Sequence, residues 1–242
     1  MLIGSSAGGD VYQGVLKVPF TLLSPSPVLT VVPLIGLLIG LAVGIAGAPA
    51  GVKAFGEERT IFFREAASGH NRVAYFIGKN ISVLYRLTIA SLHFACLYHL
   101  LAAPIITFAR LFAIIWVFFF SVYGLSHCVS MLVKREDAPL LAVVASLFAA
   151  VFCGYGPSLV AFAKANMTWF MSISYPRWLA EAFFSDQVLP FDHIYDTSTA
   201  ASLFGYTVGR YSTDIGYAVI VGLVLRVIAA LLMLFTKRKE QR

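Results

Sequence analysis

An all-α integral membrane bundle is the fold class that this chain of 242 residues predicts. Long stretches contain no Asp, Glu, Lys or Arg, for example between Arg86 and Arg110 and between Arg110 and Lys134. Charged residues make up only 12% of the chain, against about 25% in a soluble domain. A bilayer core of about 30 Å needs about 20 apolar residues in a helix, so each stretch is long enough to cross it.

These stretches predict five membrane spans. The last stretch is interrupted by one charged residue, Arg226. We place the spans at 29–50, 83–104, 109–133, 138–163 and 214–236. The predicted organisation is an outer N-terminal segment over 1–28, a membrane domain over 29–236 and a cytosolic tail over 237–242.

Basic residues are distributed unevenly between the two sides of the predicted bundle. The loops that share a side with the C-terminus, 51–80, 134–137 and 237–242, hold eleven Lys and Arg, and the opposite loops hold four. The positive-inside rule therefore places the C-terminus in the cytosol and the N-terminus outside. The start of the chain has neither a basic leader nor a cleavage site. An exported N-terminus of this kind predicts a further span upstream, so we expect the chain to be part of a longer protein.

A segment between the first two spans combines charges with an apolar face. Glu58 and Phe62, like Ile61 and Glu65, are four residues apart, which predicts an amphipathic helix along the inner membrane surface. This helix is either a solvated linker with weak surface salt bridges or a docking surface for a cytosolic partner. The candidate docking residues are Glu57, Glu58, Arg59, Phe62, Arg64 and Glu65.

Among the ionisable side chains within the predicted spans or at their boundaries, we single out Arg86, His93 and Arg226. Ionisable groups in a membrane usually face protein or water and are candidates for function. For Arg86 and His93 the alternative is an ordinary helix–helix contact. No acid lies in the same span as Arg226, so we expect its partner elsewhere in the bundle.

Glycines mark two places in the spans. Gly36, Gly40 and Gly44 are four residues apart and predict close packing against another helix, in this chain or in a second copy. The segment from Cys153 to Pro157 contains two glycines and a proline, which weaken a helix. It predicts either a helix end or a gate.

Several kinds of chemistry have no motif in this sequence. There is no Gly-x-x-x-x-Gly-Lys-Ser/Thr phosphate loop, no catalytic triad and no cysteine or histidine spacing suited to a metal. The net charge of +6 belongs to loops beside spans, which favours membrane topology over nucleic-acid binding. We therefore expect no catalytic, cofactor-binding or metal-binding residue in this chain.

Three motifs in order resemble the G subfamily of ABC transporters, the White/Brown-complex type. The segment from Glu57 to Gly69, with its Arg64–Glu65 pair, resembles the coupling-helix motif of that family. Residues 74–79 match the start of the following span, and residues 175–183 are similar to an outer-loop signature that includes Arg177, Trp178 and Glu181.

The resemblance implies an ABC-2 type exporter fold to which this chain contributes spans two to six, without the first span and the nucleotide-binding domain. It implies that the coupling helix touches that domain, in cis or in trans, and that ATP and Mg bind there. It also implies that Arg177, Trp178 and Glu181 belong to re-entrant outer helices. The substrate path would follow spans 29–50 and 138–163 at the axis of a homo- or heterodimer.

Members of that family often export lipids, sterols or other hydrophobic compounds, so this function is the leading expectation. The first alternative is a transporter or channel that works without ATP, although the spans show few paired charges and no internal repeat. The second is a membrane scaffold or fragment that transports nothing.

Overall fold

The computed structural model describes residues 14–24, 29–56, 64 and 68–235. These residues are largely helical, and a single isolated bridge between Leu16 and Tyr195 is the one β-type pairing among them. The α-helices in these ranges are α1 (Val31–Gly56), α2 (Arg72–Ala102), α3 (Phe108–Leu132), α4 (Ala138–Val151), α5 (Leu159–Lys164), α6 (Thr168–Ile173), α7 (Tyr175–Val188), α8 (Thr197–Phe204) and α9 (Tyr211–Phe235). The predicted all-α membrane bundle is confirmed.

Four of these helices, α1, α2, α3 and α9, are long and apolar enough to cross a membrane. The predicted span 138–163 is wrong as a continuous helix, because α4 has 14 residues and ends at Val151. Gly154 follows with a φ of 101°, a left-handed backbone that favours glycine. Pro157 lacks the backbone N–H that a continuing helix needs. The segment from Cys153 to Pro157 is therefore where the helix ends.

Helix α2 begins well before the predicted boundary at 83. The Asn71 side chain accepts hydrogen bonds from the backbone N–H groups of Val73 and Ala74, at 3.0 and 3.2 Å. This N-cap satisfies donors that have no partner inside the helix. The first turns of α2, from Arg72, precede the charge-free stretch and contain charged residues. Hydropathy alone therefore placed the start of the helix too late.

The central helix of the bundle is α3, against which α1, α2, α4, α7 and α9 all pack. Its buried side chains lie on every face of its middle section, from Val117 to Gly124. A helix that is apolar on all sides is typical of a bundle centre. By contrast, α2 and α9 have exposed apolar side chains such as Tyr85 and Leu223, as expected for surfaces that meet lipid.

The glycine stripe of α1 packs within this chain. Close to Gly36 lies Ala180 of α7, close to Gly40 lie Phe118 of α3 and Ala150 of α4, and close to Gly44 lies Ser146 of α4. The same face continues through Gly47, beside Phe119 and Val122, to Gly51, beside Ser126 and Tyr123. The sequence left open whether the glycines pack against a helix of this chain or of a second copy, and the contacts seen here lie within this chain.

Two segments predicted on the outer side are joined directly. The backbone N–H of Lys17 donates to Ile194 O at 3.2 Å, and that of Asp196 donates to Val15 O at 2.7 Å. The Lys17 ammonium lies 3.5 Å from the Asp192 carboxylate. The Thr197 hydroxyl and Lys17 hold the pKa of Asp192 below its ordinary value. The N-terminal segment and the loop after α7 therefore lie on the same side of the bundle.

The close contact between α1 and α3 can be tested at Gly51. A Cβ there would lie 2.8 Å from Ser126 Cβ and 3.2 Å from the Tyr123 backbone. We expect Gly51→Ala to lower the free energy of unfolding by about 1–3 kcal/mol, because the helices would have to separate.

At Gly78 in α2 no atom lies within 4 Å of such a Cβ. The matched control Gly78→Ala is expected to stabilise by up to about 1 kcal/mol through helix propensity. Thermal unfolding of both variants in detergent checks this, and equal midpoints would contradict it.

Candidate functional site

An apolar groove of about 400 Å³ runs between α4 and α9. Leu125 of α3 forms its floor, and the start of α7 with the preceding α6 closes one end. Among the described residues that line it, Ser174 and Tyr175 have the only polar side chains, and none is charged. The lining residues are Leu125, Ala145, Phe148, Ala149, Phe152, Phe170, Ile173, Ser174, Tyr175, Val221, Val224, Leu225 and Ile228. Such a groove suits an apolar molecule, since burial contributes roughly 25 cal/mol per Å².

Aromatic rings close the groove at the end of α4. Phe152 meets Phe148 and Phe170 edge-on, with both centroid distances at 5.0 Å. Phe162 of α5 stacks on Phe170 at 6.0 Å. The Ser174 hydroxyl donates to Phe152 O at 2.9 Å. This hydrogen bond satisfies a backbone carbonyl that has no partner inside the helix, because the helix ends there. These contacts hold the broken end of α4 against α5 and α6.

A tyrosine fills the space opened by the bend after α4. The Tyr206 hydroxyl donates to Cys153 O at 2.8 Å. Its ring lies so close to Gly154 that a Cβ there would approach a ring carbon to 2.9 Å. The bend therefore depends on both the left-handed backbone of Gly154 and the absence of its side chain.

A buried ionic network lies on α7, at the outer-loop signature. Glu181 is 1% exposed, and its carboxylate accepts from Arg177 at 3.4 Å and from the Thr207 N–H at 2.7 Å. The Arg177 guanidinium stacks over Trp178, 3.7 Å from the ring centroid. Trp178 in turn lies 4.5 Å from the Tyr217 ring of α9. Through these contacts the three signature residues tie α7 to the turn before α9 and to α9 itself.

A second connection joins α3 to the same region. Arg110 forms a salt bridge with Asp186 of α7 and lies over the Tyr211 ring, 5.2 Å from its centroid. The Tyr211 hydroxyl donates to Arg110 O at 2.9 Å. One turn further along α9, the Asp214 carboxylate is fully buried, and neither oxygen has a hydrogen-bond partner among the described residues.

Arg226 is buried, and its acceptor is not where the sequence predicted it. Its guanidinium donates to Gly222 O of its own helix at 3.0 Å and lies over Phe120 of α3, 3.5 Å from the ring centroid. The expectation of an acceptor elsewhere in the bundle is wrong for this hydrogen bond. The long side chain can reach back one turn because Gly124 of α3 leaves room for its guanidinium. The aromatic face supplies the remaining stabilisation.

His127 of α3 is a further buried polar residue near the opposite end of the bundle. Its ring meets Phe55 of α1 edge-on at 4.8 Å and Tyr123 at 6.4 Å. Neither ring nitrogen has a hydrogen-bond partner among the described residues. Nothing in its sequence neighbours marks this residue as a candidate, so the sequence does not single it out.

The other predicted site residues are less enclosed. Arg86 and His93 are exposed on α2. Arg86 acts electrostatically on Tyr123 of α3, so an interhelical interaction remains for Arg86. The His93 Nδ1 lies 2.9 Å from Ile89 O. Arg64 is exposed. The remaining coupling-helix residues lie outside the described part of the chain, and they are Glu57, Glu58, Arg59, Phe62 and Glu65.

The family to which this arrangement belongs follows from comparison with known proteins. The model of the ABC-2 type transporter family matches residues 37–239. This chain belongs to that family. It is also 34% identical over 193 residues to the ABC-type transporter claG of Penicillium crustosum. The match covers 80% of this chain and 26% of the relative, so the chain spans about a quarter of the length of that transporter.

These matches confirm the identification as an ABC transporter membrane domain. An apolar groove among the spans is consistent with these matches to membrane-spanning transport proteins. Sequence reasoning for this ABC-2 type chain found Arg177, Trp178 and Glu181 but missed Asp214 and Tyr206. An acid in the first turn of a helix is an ordinary feature of helix starts, so Asp214 gave no signal. Tyr206 lies far in sequence from the glycine it covers.

The bend after α4 can be tested with two glycines that are two residues apart. We expect Gly154→Ala to lower the free energy of unfolding by about 1–3 kcal/mol, because alanine is strained at positive φ and its Cβ would strike Tyr206. At Gly156 no atom lies within 4 Å of a Cβ. The control Gly156→Ala should stabilise slightly or change nothing. Thermal unfolding in detergent measures both, and a Gly154→Ala variant as stable as the control would contradict the role given to the bend.

Proposed function

We propose that this chain is the membrane-spanning part of an ATP-driven exporter of a lipid, a sterol or another hydrophobic compound. The observation that carries the proposal is the apolar groove between α4 and α9, in a chain of the ABC-2 type transporter family. A groove without charged lining residues favours an apolar substrate over a sugar, an ion or a nucleotide, because a polar molecule would lose its hydration there.

The energy would come from a nucleotide-binding domain, joined in cis or supplied in trans. ATP and Mg would bind to that domain, since this sequence contains no phosphate loop. The segment from Glu57 to Glu65 would form the cytosolic contact with it, and a second membrane half would complete the path as a homo- or heterodimer. The C-terminus would lie in the cytosol, in agreement with the distribution of basic residues.

The direct test is transport by the protein isolated from its own membrane together with any ATP-binding chain or domain that accompanies it. In proteoliposomes loaded with a fluorescent sterol or phospholipid, we expect movement of the probe that requires ATP and Mg. Movement of the probe without ATP would favour the channel or secondary-transporter alternative. No movement of any apolar probe, with intact ATP hydrolysis, would contradict the proposed substrate class.

Filling the groove should block transport without unfolding the protein. Ala149 lines the groove and is only partly buried, so we expect Ala149→Trp to abolish most transport of the apolar probe. The matched control is Val144→Trp on the same helix, because Val144 is 53% exposed and lies outside the groove. Unfolding midpoints of both variants should stay close to the parent value. Equal transport by the two variants would show that the groove does not hold the substrate.

The proposed coupling contact has its own test. We expect Arg64→Ala and Glu65→Ala to leave ATP hydrolysis largely intact while transport is lost, because the movement of the nucleotide-binding domain would no longer reach the spans. Glu136→Ala serves as a control, since Glu136 is an exposed acid in the other predicted cytosolic loop. The ratio of transported probe to hydrolysed ATP is the quantity to measure. An unchanged ratio in both variants would remove the docking role from this segment.

A further inference from the structure

The fully buried carboxylate of Asp214 lies near the ionic network of Arg177 and Glu181 on α7, and the proposed function does not use it. Asp214 is 0% exposed, and both of its oxygens lack a hydrogen-bond partner among the described residues. A buried carboxylate without a donor is strongly destabilising when ionised. Something must therefore neutralise Asp214 or supply a donor to it.

The neighbouring charges are too few to neutralise it. Glu181 of α7 is a second buried carboxylate that acts on Asp214 electrostatically, together with the guanidinium groups of Arg177 and Arg210. Arg177 already donates to Glu181, and Arg210 is exposed to solvent. The interior of the cluster thus contains two carboxylates and one guanidinium. Tyr206 also faces Glu181 and Arg177, and its hydroxyl donates a hydrogen bond to the Cys153 carbonyl.

A metal ion does not fit this position. Two carboxylates are too few ligands for Ca²⁺ or Mg²⁺, and a guanidinium beside them repels a cation. In the described part of the chain no group of three or more His, Cys, Asp and Glu side chains could hold a metal. Cavities of about 310 and 200 Å³ border Arg177 and Arg210 respectively, but Asp214 lines neither of them. The cation that fits without a cavity is a proton.

We propose that Asp214 holds a proton taken up from water, and that this proton makes the packing of α9 against α7 sensitive to pH. Uptake forms one O–H bond on a carboxylate oxygen, and release returns the same proton to water. With the proton bound, the two acids and Arg177 carry no net charge. Without it, two like charges repel each other where α7, the Thr207 turn and α9 meet.

The sign of the pH effect follows from which state binds the proton. The folded protein holds the proton to a higher pH than the unfolded chain, whose exposed carboxyl groups release it in the acid range. Stability is therefore greatest at acid pH and falls as the pH rises through the range in which Asp214 ionises. This is opposite to the effect of exposed, hydrogen-bonded acids such as Asp192, whose stabilisation is lost as the pH falls.

The experiment is thermal unfolding of the full chain in detergent between about pH 5 and about pH 9, with Asp214→Asn as the test variant. Asparagine keeps the shape of the side chain and cannot ionise. We expect the unfolding midpoint of the unaltered protein to fall as the pH rises, and that of Asp214→Asn to fall less and to be the higher of the two at alkaline pH. Glu181→Gln, whose amide oxygen can still accept from Thr207, should also reduce the fall. The control Asp192→Asn should follow the unaltered protein from neutral to alkaline pH.

Two results would overturn the proposal. One is a pH dependence in Asp214→Asn equal to that of the unaltered protein. The other is a lower midpoint for Asp214→Asn at alkaline pH, which would mean that an ionised Asp214 stabilises the fold. Infrared spectroscopy gives an independent readout: the C=O stretch of a protonated carboxyl should be present at neutral pH and absent from Asp214→Asn. These outcomes do not depend on ATP or on an apolar substrate, so they remain distinguishable from failure of the proposed function.

Discussion

The close approach of α1 to α3 is the contact on which the rest of the bundle depends. Gly47 and Gly51 leave space for Phe119 and Ser126, so the two helices meet almost backbone to backbone. In a membrane, where lipid is as apolar as a leucine side chain, packing of this kind replaces the hydrophobic effect as the force between helices. The helix placed by this contact, α3, then contacts α2, α4, α7 and α9. Through them it determines where the groove and the ionic network on α7 lie.

Buried polar groups in this structure are stabilised in several ways, and each has a different consequence. Arg226 finds a carbonyl on its own helix and an aromatic ring on α3, so its charge is contained locally. Glu181 accepts two hydrogen bonds and thereby connects α7 to a distant turn. Asp214 has no such partner among the described residues, which makes it the group whose charge state can change the packing. Unpaired buried carboxyl groups are where protonation and structure are most tightly linked.

The end of α4 connects the groove to the ionic network on α7. Because the helix stops at Val151, the chain can turn back through α5 and α6 and place α7 inside the bundle. Irregular backbone at this depth is tolerated where protein covers it, and here Tyr206 and the ring of Phe152 do so. The same bend brings Ser174 and Tyr175 to the closed end of the groove. A change in the packing of α7 would therefore reach the groove through neighbouring residues.

The sequence by itself determined the all-α membrane class and the approximate position of four long helices, and it singled out residues 175–183, because hydropathy and local motifs depend on consecutive residues. It also located the weak point after residue 152, since glycine and proline act on their own backbone. Only the tertiary structure decided that this weak point ends the helix, that the glycine stripe meets α3, α4 and α7, and that Arg226 turns to its own helix. The pairing of Glu181 with Thr207 and the isolation of Asp214 were equally beyond the sequence. These outcomes depend on which side chains from distant segments share a small volume, and no pattern along one chain specifies that.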